Sequence, residues 1–261
     1  MSRTDPVPDH PFAPRPGAAG VPQMLARQTS LELRLLLRNG EQLLITLVIP
    51  ILVLVGVSLV HAVDVGSGRR IDVVTPGVFS LAVLSTAFTS LAIATGFERR
   101  YGVLKRLGAT PLPRWGLIAA KSATVLVVEL GQLLVLAGVA SSLGWSPRGS
   151  WLELVPLLLV GTAAFSGLGL LMAGTLRAEA TLAAANLVWL LLLAGGGIIV
   201  PLSRLPAGVA AGLSVLPSAA LTEGMRAVLQ HGSGLPAGPL VVLAVWALLG
   251  VGTASVAFRW E

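Results

Sequence analysis

Six runs of about twenty mostly apolar residues recur along this chain, and a run of that length crosses about 30 Å of hydrocarbon as a helix rising 1.5 Å per residue. They fall at Leu43–Val60, Val74–Phe97, Leu117–Ala140, Leu154–Leu176, Thr181–Pro201 and Pro239–Phe258. Lipid offers the backbone no hydrogen-bond partner, so each spanning segment must satisfy its own amides. The expected fold is therefore all-α: a polytopic membrane protein with six transmembrane helices. Composition agrees, because 11% of residues are charged, where a soluble domain carries about 25%. Pro50 and Pro156 lie inside spans. Each removes a backbone donor and predicts a kink that a membrane bundle tolerates.

The segments between the spans set the orientation. With the N-terminus inside, thirteen of the 18 Lys and Arg residues fall on the cytoplasmic side, leaving Arg69, Arg70, Arg148, Arg204 and Arg226 outside. Cytoplasmic loops carry the excess of positive charge, so both termini are expected in the cytoplasm. The same rule accounts for the net charge of +6 without a nucleic-acid partner. All the basic residues except Lys105 and Lys121 are Arg, and Ala, Gly and Val are abundant. That usage suggests a GC-rich bacterial genome and hence a bacterial plasma (inner) membrane.

Residues 1–21 are rich in proline and lack the apolar stretch of a signal peptide, which reads as a disordered cytoplasmic tail. Residues 22–261 form the membrane domain. Its first part, Val21 to Gln42, places Leu25, Leu31, Leu35 and Leu36 among Arg27, Glu32, Arg34 and Arg38 at helical spacing. This predicts an N-terminal interfacial helix with its apolar face in the headgroup region. The connection Leu202–Gly238 is long yet apolar and is broken by Pro206, Pro217 and Pro236. It reads as one or two short helices forming a re-entrant outer hairpin between spans five and six. The rival is a seventh span near Leu205–Thr222, which would put the C-terminus outside.

Few residues offer chemistry. The chain has no cysteine, and His10, His61 and His231 all lie outside the apolar runs, so no metal site is expected. There is no GxxxxGK[ST] phosphate loop. Phe165-Ser166-Gly167 resembles part of a serine nucleophile motif, but residue 164 is Ala and no span holds a histidine base. No catalytic residue is expected. Glu129 and Gln132 sit three apart in the third span, hence on one helix face. A carboxylate at that depth costs about 2.5–3.5 kcal/mol and must face protein or water. The pair reads either as a patch on a substrate path or as a hydrogen bond joining two helices. Asn186, three before Trp189 in the fifth span, carries the same two readings. Gly161, Gly167, Gly169 and Gly174 give the fourth span a small face for close packing, within the chain or across a dimer interface. Gly195-Gly196-Gly197 reads as a hinge or as another close contact.

The segment Glu98 to Pro113, ERRYGVLKRLGATPLP, is short, basic and turn-rich, wedged between the second and third spans. Glu98 is expected to begin its helical turn, where negative charge suits a helix N-terminus. Arg99, Arg100, Lys105 and Arg106 suit acidic groups or lipid phosphate, and Leu104 and Leu107 suit an apolar pocket.

The order Glu98-Arg99-Arg100-Tyr101-Gly102-Val103-Leu104-Lys105-Arg106-Leu107, then Ala109-Thr110-Pro111-Leu112-Pro113-Arg114, resembles the signature of type-2 ABC transporter permeases. These are the membrane subunits of bacterial exporters of drugs, polysaccharides and lipid-linked molecules. Pro201-Leu202-Ser203, Leu205-Pro206, Leu216-Pro217 and Glu223-Gly224-Met225-Arg226 are similar to the family's segment between the fifth and sixth spans. The resemblance implies a permease paired with a second permease chain and driven by a separate P-loop ATPase, which holds the ATP and magnesium. Residues 98–107 would then be the ATPase-coupling segment, and Glu129, Gln132 and Asn186 candidates for the substrate path. Glu129 and the proline-rich tail depart from the family pattern. The alternative is a proton-coupled secondary transporter using Glu129.

Overall fold

The structure is a computed structural model and describes residues 19–59 and 69–257. The described residues form helices and turns without a strand. Five segments are long and apolar enough to cross a membrane: Arg70–Arg100, Trp115–Ser142, Trp151–Thr175, Ala178–Gly195 and Ala237–Ala257. The expected first span is the 20-residue helix Gly40–Leu59, whose apolar part is the shorter Thr46–Leu59. The proline-rich tail up to residue 18, Val60 and Phe258 lie outside the described residues.

Helix α1 (Val21–Arg38) starts at a proline-bearing first turn and stops at Asn39, short of the expected Gln42. It lies at the rim of the bundle with Leu31, Leu35 and Leu37 exposed, and packs on α6 (Arg114–Ser142). Helix α2 (Gly40–Leu59) follows and packs on α3 (Arg70–Val83). A π-helical stretch, Leu84–Ser90, joins α3 to α4 (Leu91–Arg100) without a break, giving one central helix that is buried over most of its length. A turn and the short α5 (Val103–Gly108) lead into α6. Beyond α6 come α7 (Trp151–Thr175) and α8 (Ala178–Gly195), then α9 (Ala207–Leu213), α10 (Pro217–Arg226) and α11 (Ala237–Ala257).

Glycine decides the tightest packing. A Cβ on Gly167 of α7 would stand 2.5 Å from Val251 N on α11, and one on Gly169 would stand 2.8 Å from Phe88 O in the π stretch. Close helix approach of this kind needs small residues. The small face of α7 is therefore used inside the chain, chiefly against α11. The dimer-interface reading of that face is set aside for this reason.

The fifth span ends at Gly195 rather than at Pro201. Gly197 takes φ +62°, and a Cβ on Gly196 would meet Leu192 O at 2.4 Å, so the triple glycine stops the helix. The apolar connection that follows builds α9 and α10, of 7 and 10 residues. Each is too short to span about 30 Å, and α10 is buried over nearly its whole length. Arg226 at its end is buried and donates to Glu223 at 3.0 Å and to Ile198 O at 3.2 Å. At this far end of the bundle Phe79, Trp145 and Trp151 pack edge to face.

Candidate functional site

The basic segment folds as a hinge between the central helix and α6. Glu98 lies in the last turn of α4 and not at the start of a helix. The helix dipole disfavours a carboxylate there, and Lys121 on α6 answers it: the ammonium donates to Glu98 Oε2 at 2.7 Å and to Glu32 Oε2 of α1 at 3.2 Å. Lys121 is 2% exposed, against 16% for Glu32 and 28% for Glu98. Gln28 also donates to Glu32, at 3.0 Å. One buried cation thus joins α1, α4 and α6.

Arg99 and Arg100 turn the other way. Arg99 donates to Ala173 O near the end of α7 at 2.9 Å, and Arg100 pairs with Glu179 in the first turn of α8. Basic side chains at the end of α4 thereby hold both sides of the α7–α8 turn. Tyr101 stacks on Phe97. Gly102 then takes φ +72°, the left-handed region open to glycine without strain, and the chain reverses into α5.

Helix α5 has two faces. Leu104 is fully buried in the core of this chain, and Leu107 packs half-buried against it. Leu104 was expected to anchor a partner's pocket; it anchors α5 to its own bundle instead. The exposed face carries Tyr101, Val103, Lys105 and Arg106. Trp115, half-exposed at the start of α6, adds an aromatic surface. Val103 and Trp115 were missed in the sequence, where neither breaks the pattern of its neighbours.

Glu129 and Gln132 are both buried on the inner side of α6. Their partners differ. Thr162 of α7 donates to Glu129 Oε2 at 2.5 Å, while Glu129 Oε1 is buried without a partner among the described residues. Gln132 accepts from Thr86 of the π stretch at 3.1 Å and donates to Thr46 O of α2. These contacts are hydrogen bonds between helices, each linking α6 to a different neighbour. Asn186 is not brought near them. It is exposed on α8 and donates to Leu182 O of its own helix at 2.9 Å. Trp189, three residues on, reaches Ser85 at 3.1 Å.

Among the described residues these contacts tie helices together and form no reacting constellation. Ser166 is buried without a hydrogen-bond partner among the described residues, and no group of three His, Cys, Asp or Glu among them could hold a metal ion. No curated protein matches the chain. A family model described as "ABC-2 type transporter" matches residues 26–229, from within α1 through α10.

Proposed function

Because the chain belongs to the ABC-2 type transporter family, and so is a membrane permease subunit of an ABC-type transporter, we propose that it serves an ATP-driven exporter in a bacterial plasma membrane. Two permease chains form the path, and a separate P-loop ATPase docks on the segment 98–113. The end bearing α5 faces the cytoplasm, as do both termini, and the α9–α10 segment is the re-entrant outer hairpin. ATP and magnesium belong to the partner; this chain needs no cofactor of its own.

The observation that carries the reading is the two-faced α5. Its outer face, Tyr101, Val103, Lys105 and Arg106, offers an apolar and cationic surface suited to an acidic-rimmed groove. Its inner face is tied to the bundle by Leu104, and the preceding turn is tied by Arg99 and Arg100. A push on α5 is then carried to α4, α6 and the α7–α8 turn together. A partner whose closure favours one arrangement of these helices shifts the permease between inward and outward states. Glu129 and Gln132 remain the candidates for the path, and Asn186, exposed on α8 and bonded to its own helix, stands apart from them. The competing carrier reading draws on the unpaired Glu129 Oε1.

The test is co-purification of the tagged chain with the products of neighbouring genes. A stoichiometric ATPase, lost on Val103→Glu with Arg106→Glu while the permease still folds, supports the exporter reading. A chain that purifies alone and transports in response to a proton gradient, with loss in Glu129→Gln, overturns it.

A further inference from the structure

A cavity of about 190 Å³ lies between α1, α2, α6 and the central helix at its π stretch and α4. Glu32, Lys121 and Glu98 line one end, and Leu36, Leu91 and Val125 are among the apolar walls. Thr46 and Thr86, the partners of Gln132, line the deeper end. One wall is α1, whose Leu35 lines the cavity and, with Leu31 and Leu37, is exposed at the rim of the bundle.

Its ionisable groups are unevenly matched. Among the described residues Lys121 is the one cation lining it, and it stands between both carboxylates, at 2.7 Å from Glu98 and 3.1 Å from Glu32. One ammonium thus stands against two carboxyl groups. Glu98 meets Lys121 through Oε2, and Oε1 accepts no hydrogen bond from a described residue. A second cation would complete the pairing of these half-buried carboxyl groups, and the apolar walls select one with an apolar body.

We propose that this cavity binds the amine end of an amphiphile, with the ammonium on Glu98 and Glu32 and its hydrocarbon arm between Leu36, Leu91 and Val125. A cavity of about 150 Å³ accepts benzene, so this one admits a six-carbon arm. It is smaller than the 300 Å³ or more that encloses a drug-sized ligand, so a larger molecule enters by its amine end alone. The site gives the exporter a substrate class, amphiphilic amines reaching it from the lipid side, and in that respect rests on the exporter reading. Binding itself requires no ATPase.

The test uses the purified full chain in lipid nanodiscs, titrated at pH 7 with hexylamine, hexanol and hexanoate. The expected result is saturable hexylamine binding at least tenfold tighter than that of the other two. It weakens at least tenfold in Glu98→Gln and is abolished in Val125→Phe, which fills the cavity. Should Val125→Phe fail to fold, Glu98→Gln and the three-ligand series still decide. Equal binding of amine and alcohol, or unchanged binding in Glu98→Gln, overturns the proposal. Nanodiscs with and without phosphatidylethanolamine separate two sources of the amine. Tenfold weaker hexylamine binding in the ethanolamine lipid marks a lipid headgroup as occupant, and equal binding marks a soluble amine. Failure of this titration leaves the co-purified ATPase intact as a result, and absence of an ATPase leaves the titration intact.

Discussion

Replacing Gly167 by alanine adds one methyl group at a close contact between α7 and α11. That Cβ would lie 2.5 Å from Val251 N and 2.6 Å from Gly250 C. Both are backbone atoms, so no side chain can rotate away. Ordinary contact begins near 3.4 Å, and α7 and α11 must therefore part by nearly 1 Å at this point. Overpacking of this kind costs about 1–3 kcal/mol, and the backbone on both sides argues for the upper half of that range. Gly252, two residues further along α11, is the control, because nothing lies within 4 Å of its Cβ position. Alanine there is expected to be neutral or to stabilise by about 0.5–1 kcal/mol, through the lower backbone entropy of the unfolded chain. The assay is unfolding in mixed micelles of rising SDS fraction, followed by tryptophan fluorescence. Equal midpoints for Gly167→Ala and Gly252→Ala would refute the reasoning and with it the α7–α11 register.

Three further outcomes are expected. Lys121→Met leaves Glu32 and Glu98 facing each other and destabilises by about 3 kcal/mol, the low end of the range for a broken buried pair since both carboxylates keep some contact with water; the triple variant Lys121→Met with Glu32→Gln and Glu98→Gln should recover most of that loss in the same unfolding assay. Leu104→Ala should cost about 2–5 kcal/mol as a core truncation, whereas Val103→Glu should leave the unfolding midpoint unchanged and abolish stimulation of the co-purified ATPase; the opposite pattern would place the docking face elsewhere. Gly197→Ala forces a side chain into a left-handed backbone and should cost about 1–2 kcal/mol, read as the difference from Gly208→Ala, whose Cβ position is open.

Five of the six expected spans were legible because hydrocarbon demands about twenty apolar residues whatever the fold inside. That the segment 98–113 is a turn-rich break was legible for a similar reason, because a basic interruption between two such runs has few other uses; that the chain turns at Gly102 was not. Partnerships across the bundle were not. Lys121 stands 23 residues from Glu98 and 89 from Glu32, and no local pattern joins them. Leu104 and Val103 are neighbours of like hydrophobicity, and only the direction in which α5 packs separates an anchor from an exposed residue. The early end of α8 was hidden because Ile198, Ile199 and Val200 continue the apolar run after the glycines have already broken the helix. Glu129 and Gln132 were placed on one face correctly. Which helices they join depends on Thr162, Thr86 and Thr46, residues that carry no signal of their own.

The π stretch Leu84–Ser90 has a consequence for the rod that contains it. A π turn takes up an extra residue relative to the α-helix, and one residue corresponds to about 100° of rotation. The two halves of Arg70–Arg100 are therefore out of phase. The upper half, α3, meets α2 and α10; the lower half, α4, meets α7 and α8. One uninterrupted backbone thus serves two sets of neighbours, and the change of allegiance falls in its most loosely wound section. Helices α6, α7 and α8 all pack on that same section, so the seam between the two halves of the bundle sits at its centre.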